Sequence, residues 1–250
     1  MEKRATTARR RAEIIRQLEQ SGAVQVDELE SLWGVSAPTI RRDLRWVAAQ
    51  GLARRVRGGA VAAGERVFSP AADPVFARIG RAAAALVQDG ETIFLGPGPL
   101  AVEVARALAG RERLAIVTNS LAVARQVVEQ GYHTLILTGG QLERQEQGLT
   151  GQLALAALEN LRADRVFLEL SGVSAMAGLT DDSLPQAEIS RLLLEMGAQT
   201  IALVVPERVG RVAAVLIGPA SDIETVVSAR EADSASLWDL TEMGVNVVLA

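Results

Sequence analysis

The stretch VQVDELESLWGVSAPTIRRD, residues 24–43, constrains this chain more than any other. Its turn signals and apolar spacing describe two short helices joined by a tight corner. Asp27 is placed to cap the first helix, and Glu30 three residues on completes a capping-box pattern. Leu29, Leu32 and Trp33 give that helix an apolar stripe. Gly34 stands where a helix ends in a left-handed residue. Val35 fills the corner, and Ser36 is placed to cap the second helix. Pro38 falls in the first turn, where its missing N–H and fixed φ are tolerated.

On the 3.6-residue period, Ile40, Leu44 and Val47 share one side of the second helix and are expected to pack inward. Pro38, Arg42 and Arg45 point the opposite way, with Arg41 on the flank. An apolar back and an arginine-rich front suit the major groove of DNA, where arginine pairs with phosphate or reaches guanine edges. A lone charge run reads as a solvated face. On the second helix of a helix-turn-helix it reads as a DNA contact.

The segment VSAPTIRRDL at 35–44, followed by RVRGGAV at 55–61, resembles the DeoR family of bacterial transcription regulators. The resemblance implies an α/β protein with an N-terminal winged helix-turn-helix domain. It also implies a C-terminal Rossmann-like α/β sensor domain, similar to sugar-phosphate isomerases. Expected bounds are 1–61 for the DNA-binding domain, 62–74 for a linker and 75–250 for effector sensing and oligomerisation. The expected partners are double-stranded operator DNA, a sugar phosphate or related effector, and further copies of the same chain, as a dimer or tetramer. DNA contacts are expected from Ser36, Pro38, Thr39, Arg41, Arg42 and Arg45, and from Arg54, Arg55, Arg57 and Gly58 of the wing.

Charge supports this division. Net charge is −4, but residues 1–60 carry twelve Lys+Arg against seven Asp+Glu, a balance of +5, and the remainder carries −9. A basic module on an acidic body is expected when one domain alone meets DNA. There is no cysteine, which excludes disulfides and thiolate chemistry. A single histidine, His133, excludes a multi-histidine metal site, and no cofactor is expected. His133 reads as a satisfied structural residue. No apolar run reaches membrane-spanning length and no signal-peptide core follows the N-terminus, so a cytoplasmic location is expected. Aromatics are 3% of the chain, so a core must be built from Leu, Val, Ile and Ala. Trp33 and Trp46 are expected in the small N-terminal core, and Trp238 packed beneath the last helix.

In order, residues 1–6 are expected to fray, and Thr7 to cap a helix that runs to about residue 20 and stops at Gly22. Ile14, Ile15 and Leu18 form its inner face, with Arg9, Arg10, Arg11 and Arg16 outside. Residues 52–61 read as a β-wing turned by Gly58 and Gly59. The linker lacks periodicity and holds Gly, Ser and Pro. Beyond it, helices are expected at 75–88, 100–109, 121–130, 150–161, 185–196 and 234–243. Strands are expected at 91–95, 114–117, 134–138, 165–170, 200–205, 212–217, 225–227 and 245–249. Apolar strands between amphipathic helices imply a mostly parallel sheet covered on both faces.

Ligands of such sheets sit at the carboxyl ends of the strands. Four loops lie there: 96–99, 118–120, 139–140 and 206–210. TNSLAVA at 118–124, LTGG at 137–140, GLT at 178–180 and the closing NVVLA also resemble the DeoR sensor. Effector contacts are therefore expected from Gly96, Gly98, Leu100, Asn119, Ser120, Gly139, Gly140 and Arg208. Two loops depart from the family. Its first loop reads like Asp-Ser-Gly-Thr-Thr, whereas this chain has Gly96, Pro97, Gly98, Pro99 and Leu100, without the acid or the hydroxyls. After the later strand, the family pattern Asp-x-Ser-Lys becomes Val205, Pro206, Glu207 and Arg208. Two readings follow: an altered small-molecule site gripped by Asn119, Ser120, Arg208 and the Leu100 amide, or a domain that only oligomerises. An isomerase-like enzyme would need carboxylates such as Asp181, Asp182 or Glu188. The sequence Asp-Asp-Ser before Pro185 reads instead as a helix start, and catalysis is not expected.

Overall fold

The computed structural model describes residues 2–21, 23–49, 53–56, 58–62, 74–131, 133–143, 147–196 and 199–250. The chain forms two compact units, residues 1–69 and 70–250.

The N-terminal unit runs α1 (Glu2–Ser21), β1 (Ala23–Gln25), α2 (Val26–Trp33), α3 (Ala37–Ala49), β2 (Ala53–Val56) and β3 (Gly59–Ala62). Helix α1 starts at Glu2 and not at Thr7, because residues 2–6 contain good helix formers and no breaker. Gly22 and residues 63–73 of the expected linker lie outside the described residues. Ile14, Leu18, Val26, Leu29, Ile40, Leu44 and Val47 are buried in one small core. Each such aliphatic side chain contributes roughly 1.5–3 kcal/mol on burial.

The three strands form a sheet in the order β1-β3-β2. The expected hairpin is β2–β3; β1, only three residues long, adds a third strand. Gly58 makes the turn at φ +88. Gly59 is required for a different reason: it faces Gln25 across the sheet, and a Cβ there would fall 2.1 Å from the Val24 carbonyl oxygen. Asp27 does not cap α2. The cap position is Gln25, without a side-chain bond, and the Gly58 carbonyl accepts the Val26 N–H at 2.8 Å. Asp27 lies two residues past the cap position, in the first turn, where its charge still favours the helix dipole. Gly34 ends α2 in the left-handed region at φ +59.

The arginines of α1 are not all outside. Asp43 of α3 is buried, and its two oxygens are divided between two side chains of α1. Arg10 Nε donates to one at 2.6 Å and Arg11 Nε to the other at 2.8 Å. Arg10 is itself buried. Arg11 also lies over the Trp46 ring, 4.4 Å from its centroid, a cation–π contact. Trp46 therefore covers the clamp from the surface and is 39% exposed, outside the core expected for it. Trp33 packs against the core partly buried.

The second unit runs α4 (Pro74–Ala84), β4 (Thr92–Leu95), α5 (Pro99–Ala107), β5 (Ala115–Thr118), α6 (Leu121–Gln130), β6 (Thr134–Leu137), β7 (Gln141–Glu143) and β8 (Gly148–Thr150). It continues with α7 (Gln152–Glu159), β9 (Arg165–Glu169), β10 (Gly172–Ser174), β11 (Gly178–Asp181), α8 (Leu184–Leu194), β12 (Gln199–Leu203), β13 (Val215–Gly218), β14 (Thr225–Ser228), α9 (Ser234–Glu242) and β15 (Asn246–Leu249). Seven strands form a wholly parallel sheet in the order β15-β14-β12-β9-β4-β5-β6. Alternate residues feed opposite faces. Ile93, Leu95, Ile116 and Phe167 pack with α4, α5 and α6, while Phe94, Val117, Val166 and Leu168 pack with α7, α8 and α9.

Strand β13 does not join this sheet. It pairs antiparallel with β11, which pairs with β10, in a separate three-stranded sheet. Hairpin β7–β8 takes up residue 150, which was expected in a helix. Asp233 caps α9, accepting from the Ser236 hydroxyl at 2.7 Å and its N–H at 2.9 Å, and these bonds hold its pKa below the usual aspartate value. Leu237 and Leu240 form the buried face of α9, so Trp238 is left outward and 65% exposed. His133 bonds the Leu108 carbonyl oxygen through Nε2 at 3.1 Å, but Nδ1 has no partner among the described residues, so it is only half satisfied.

The clamp on Asp43 gives a direct prediction. Asp43→Ala leaves Arg10 buried without its carboxylate and should destabilise the N-terminal unit by about 3–5 kcal/mol in urea unfolding followed by circular dichroism. A loss below about 1 kcal/mol, typical of an exposed ion pair, would contradict a structural role for this carboxylate.

Candidate functional site

The first site is the outer face of α3. Burial of Ile40, Leu44 and Val47 on one side turns Pro38, Arg41, Arg42 and Arg45 outward, and all four are exposed. Ser36 precedes the helix; its carbonyl accepts the N–H groups of Thr39 at 2.8 Å and Ile40 at 3.2 Å. The Ser36 and Thr39 hydroxyls lie 3.2 Å apart at the same helix end. Arg45 Nε donates to the Arg41 carbonyl at 3.3 Å, and its remaining guanidinium donors extend from the face. Asp43, the acid within this run of arginines, points away into the clamp. The face thus presents three cations and two hydroxyls beside a positive helix end, a set of donors matched to phosphate oxygens and guanine edges. Gly58 is exposed at the wing turn. Arg54 and Arg55 lie on β2, with their side chains outside the described residues, as is the whole of Arg57.

The second site lies where the sheet changes direction. From β4 the chain moves one way through β5 and β6, then returns to β9 on the other side of β4 and continues outward. A parallel sheet leaves a crevice at the carboxyl ends of the strands at such a point. Loop 96–98 leaves β4 there, with the Gly96 N–H donating to the Phe167 carbonyl at 3.1 Å. Gly98, at φ +129, precedes α5. The first free amide of that helix is already engaged: Leu100 N–H donates to Glu169 Oε2 at 2.8 Å. Glu169 ends β9, and its side chain is 6% exposed. Arg208 sits in the turn after β12, with Nη1 donating to the Leu170 carbonyl at 3.1 Å and lying 3.7 Å from Glu169 Oε1.

Asn119 and Ser120 directly follow β5 and are fully buried. Ser120 caps α6, accepting the Val123 N–H at 3.3 Å. Asn119 Nδ2 donates to the Leu149 carbonyl at 3.0 Å and to Gln186 Oε1 at 3.3 Å. Its Oδ1 has no partner among the described residues. A buried carbonyl left this way costs about 1–3 kcal/mol unless something donates to it. Pro97 and Gln186 both close on Gly148 of β8, where a Cβ would meet Pro97 Cγ at 3.1 Å and Gln186 Oε1 at 3.3 Å. Gly140 enters the same hairpin at φ +126, close against the Thr150 carbonyl, while Gly139 is exposed. Loop 96–100, Asn119, Ser120 and Arg208 therefore converge at the point where the strand order reverses, and the glycine pair borders it through the hairpin. The Leu100 amide is not free as expected, because Glu169 takes it.

The acids considered for catalysis serve local structure. Asp181 Oδ1 accepts the Ser183 N–H at 2.8 Å, Ser183 caps α8, Asp182 pairs with Arg211 at 2.9 Å, and Glu188 is exposed. Among the described residues no group of three or more His, Cys, Asp or Glu is placed to hold a metal ion.

A family model described as the DeoR-like helix-turn-helix domain matches residues 10–66, and one described as the DeoR C terminal sensor domain matches residues 77–230. The chain belongs to the DeoR family. It is a DNA-binding transcription regulator. A putative aga operon transcriptional repressor of Escherichia coli O157:H7 is 30% identical over 260 residues, covering 99% of this chain and 96% of that protein. The glycerol-3-phosphate regulon repressor of Escherichia coli K12 is 32% identical over 219 residues, covering 85% and 87%. The regulator GolR of Listeria innocua is 29% identical over 248 residues, covering 96% and 98%. No helix among the described residues is long and apolar enough to cross a membrane.

Within this DeoR-family chain, two residues of the second site escaped the reading of the sequence. Glu169 interrupts the apolar run RVFLEL at the carboxyl end of a strand, which is the signal that marks it. Gln186, buried in the first turn of α8, has no comparable signal because its partner Asn119 is 67 residues away.

Proposed function

We propose that this chain is a repressor that holds operator DNA through α3 and the wing, and whose hold is changed by a small metabolite bound at the β4–β9 crevice. The observation that carries the first half is the outward set Arg41, Arg42 and Arg45 on a helix whose opposite side is fully buried. Arg42 and Arg45 reach base edges or phosphate, Arg41 clamps the backbone, and Ser36, Thr39 and the wing arginines Arg54, Arg55 and Arg57 hold phosphate. Pro38 and Gly58 shape the two contact points. Two copies of the chain pair their α3 helices about one turn of DNA apart, roughly 34 Å. Such a regulator acts in the cytoplasm and carries out no catalysis.

The second half rests on buried polar groups converging at the switch point, above all Asn119 with an unpaired oxygen. Gly96, Gly98, Asn119, Ser120, Gly139, Gly140, Leu100 and Arg208 frame the crevice. The relatives named for glycerol-3-phosphate and for the aga operon make sugars, polyols and their phosphates the panel to test.

Arg42→Ala should weaken operator binding by about 1–3 kcal/mol and relax sequence preference where Arg42 reads a base. Fluorescence anisotropy on operator variants checks this; unchanged affinity and preference remove Arg42 from the reading set. Log affinity should also fall linearly with log salt, as phosphate contacts release counterions. A thermal-shift screen of sugars, polyols and their phosphates should find a ligand that, at a hundred times its Kd, stabilises the chain by roughly 2.7 kcal/mol and alters operator affinity. A panel without any stabilising ligand would instead leave the second unit as an oligomerisation domain.

A further inference from the structure

We propose that Glu169 is a tethered anion that fills the N-terminal end of α5, closing the crevice to phosphate and leaving it to a donor-rich ligand without phosphate, such as a polyol. This rests on the reading that the crevice holds an effector, and it names that effector's chemical class. A helix N-terminus at a sheet switch point binds anions because its amides are unpaired and its dipole is positive. Here one amide of that end, Leu100 N–H, donates to Glu169 Oε2 at 2.8 Å. Pro99 brings no donor at all. The loop is moulded around the carboxylate: a Cβ on Gly98 would lie 2.2 Å from Glu169 Oε2, so only glycine admits the side chain there. Arg208 stands 3.7 Å from the other carboxylate oxygen, its charge shared with Glu169 and its Nη1 engaged by the Leu170 carbonyl.

A phosphate arriving at this end would meet a buried negative charge, an occupied amide and an arginine already held. Asn119 is fully buried, its nitrogen is used twice, and its oxygen has no donor among the described residues. Gln186 Oε1, which accepts from Asn119 Nδ2, adds a second buried carbonyl beside Pro97 of loop 96–98. An acceptor-rich site is complemented by hydroxyl or amine donors and opposed by phosphate oxygens.

Inorganic phosphate is the probe. Thermal unfolding of the full chain is followed with increasing phosphate against chloride of equal ionic strength. Arg41, Arg42, Arg45, Arg54, Arg55 and Arg57 are replaced by alanine throughout, so that neither the α3 face nor the wing responds. With Glu169 present, phosphate should leave Tm unchanged. Glu169→Ala should open the helix end, so that phosphate at about ten times its Kd raises Tm by about 3–6 °C. Glu169→Gln, which keeps the bulk, should stay silent. If Glu169→Ala fails to fold, Glu169→Ser makes the same opening and carries the same expectation. A saturable phosphate response with Glu169 in place overturns the proposal and leaves the effector reading standing. A silent Glu169→Ala or Glu169→Ser that folds also overturns it, since the helix end is then no anion site. Failure of the effector reading is seen separately, as a sugar and polyol panel without any stabilising ligand.

Discussion

The proposed DNA-binding face depends on one buried carboxylate. Asp43 sits in the middle of the arginine run on α3, yet it faces inward and is divided between Arg10 and Arg11 of α1. An ion pair this deep adds little net stability compared with apolar packing, but removing one member strands the others. Its value lies in placement. It fixes the rotation of α3 against α1, and so decides which residues of TIRRDLR are buried and which are presented. It also withdraws two of the arginines of α1 from the surface, so that the cations left on the outer side of α3 are Arg41, Arg42 and Arg45.

The second unit uses a carboxylate in a comparable way. Glu169 reaches from the end of β9 to the start of α5, across the point where the strand order reverses. There the parallel sheet leaves its crevice, and unpaired amides would otherwise seek an anion from solution. In both units a side-chain carboxylate supplies intramolecularly what the local positive potential calls for. On α3 this leaves the outer face free to bind a large polyanion. At α5 it takes up the place an anionic group would occupy.

Much of the fold was legible because it follows short-range rules. The helix at residues 121–130 is bounded by a serine cap and a left-handed glycine, and both ends fall where those signals stand. The Gly34 corner and the inward set Ile40, Leu44 and Val47 were legible for the same reason. What was hidden depends on distant partners. Strands β1, β7, β8 and β10 are three residues long and carry no period of their own; they exist because another segment pairs with them. The inward role of Asp43 left no local signal because its partners lie 32 and 33 residues away. Asp27 looked like a cap because the carbonyl that takes its place comes from Gly58. Trp46 and Trp238 were read as core on hydrophobicity alone, whereas one covers an arginine and the other faces outward. In the candidate effector site the departures of loop 96–100 were plain, but not the residue that answers them, Glu169.

The outer face of α3 is the proposed DNA contact. Selective chemical modification of arginine, read by mass spectrometry with and without selected operator DNA, tests it most directly. Arg41, Arg42 and Arg45 should react freely in the unbound chain and be protected in the complex. Arg125, 82% exposed on α6 of the other unit, should react alike in both states. Equal modification of Arg41, Arg42 and Arg45 with and without bound DNA would contradict the account.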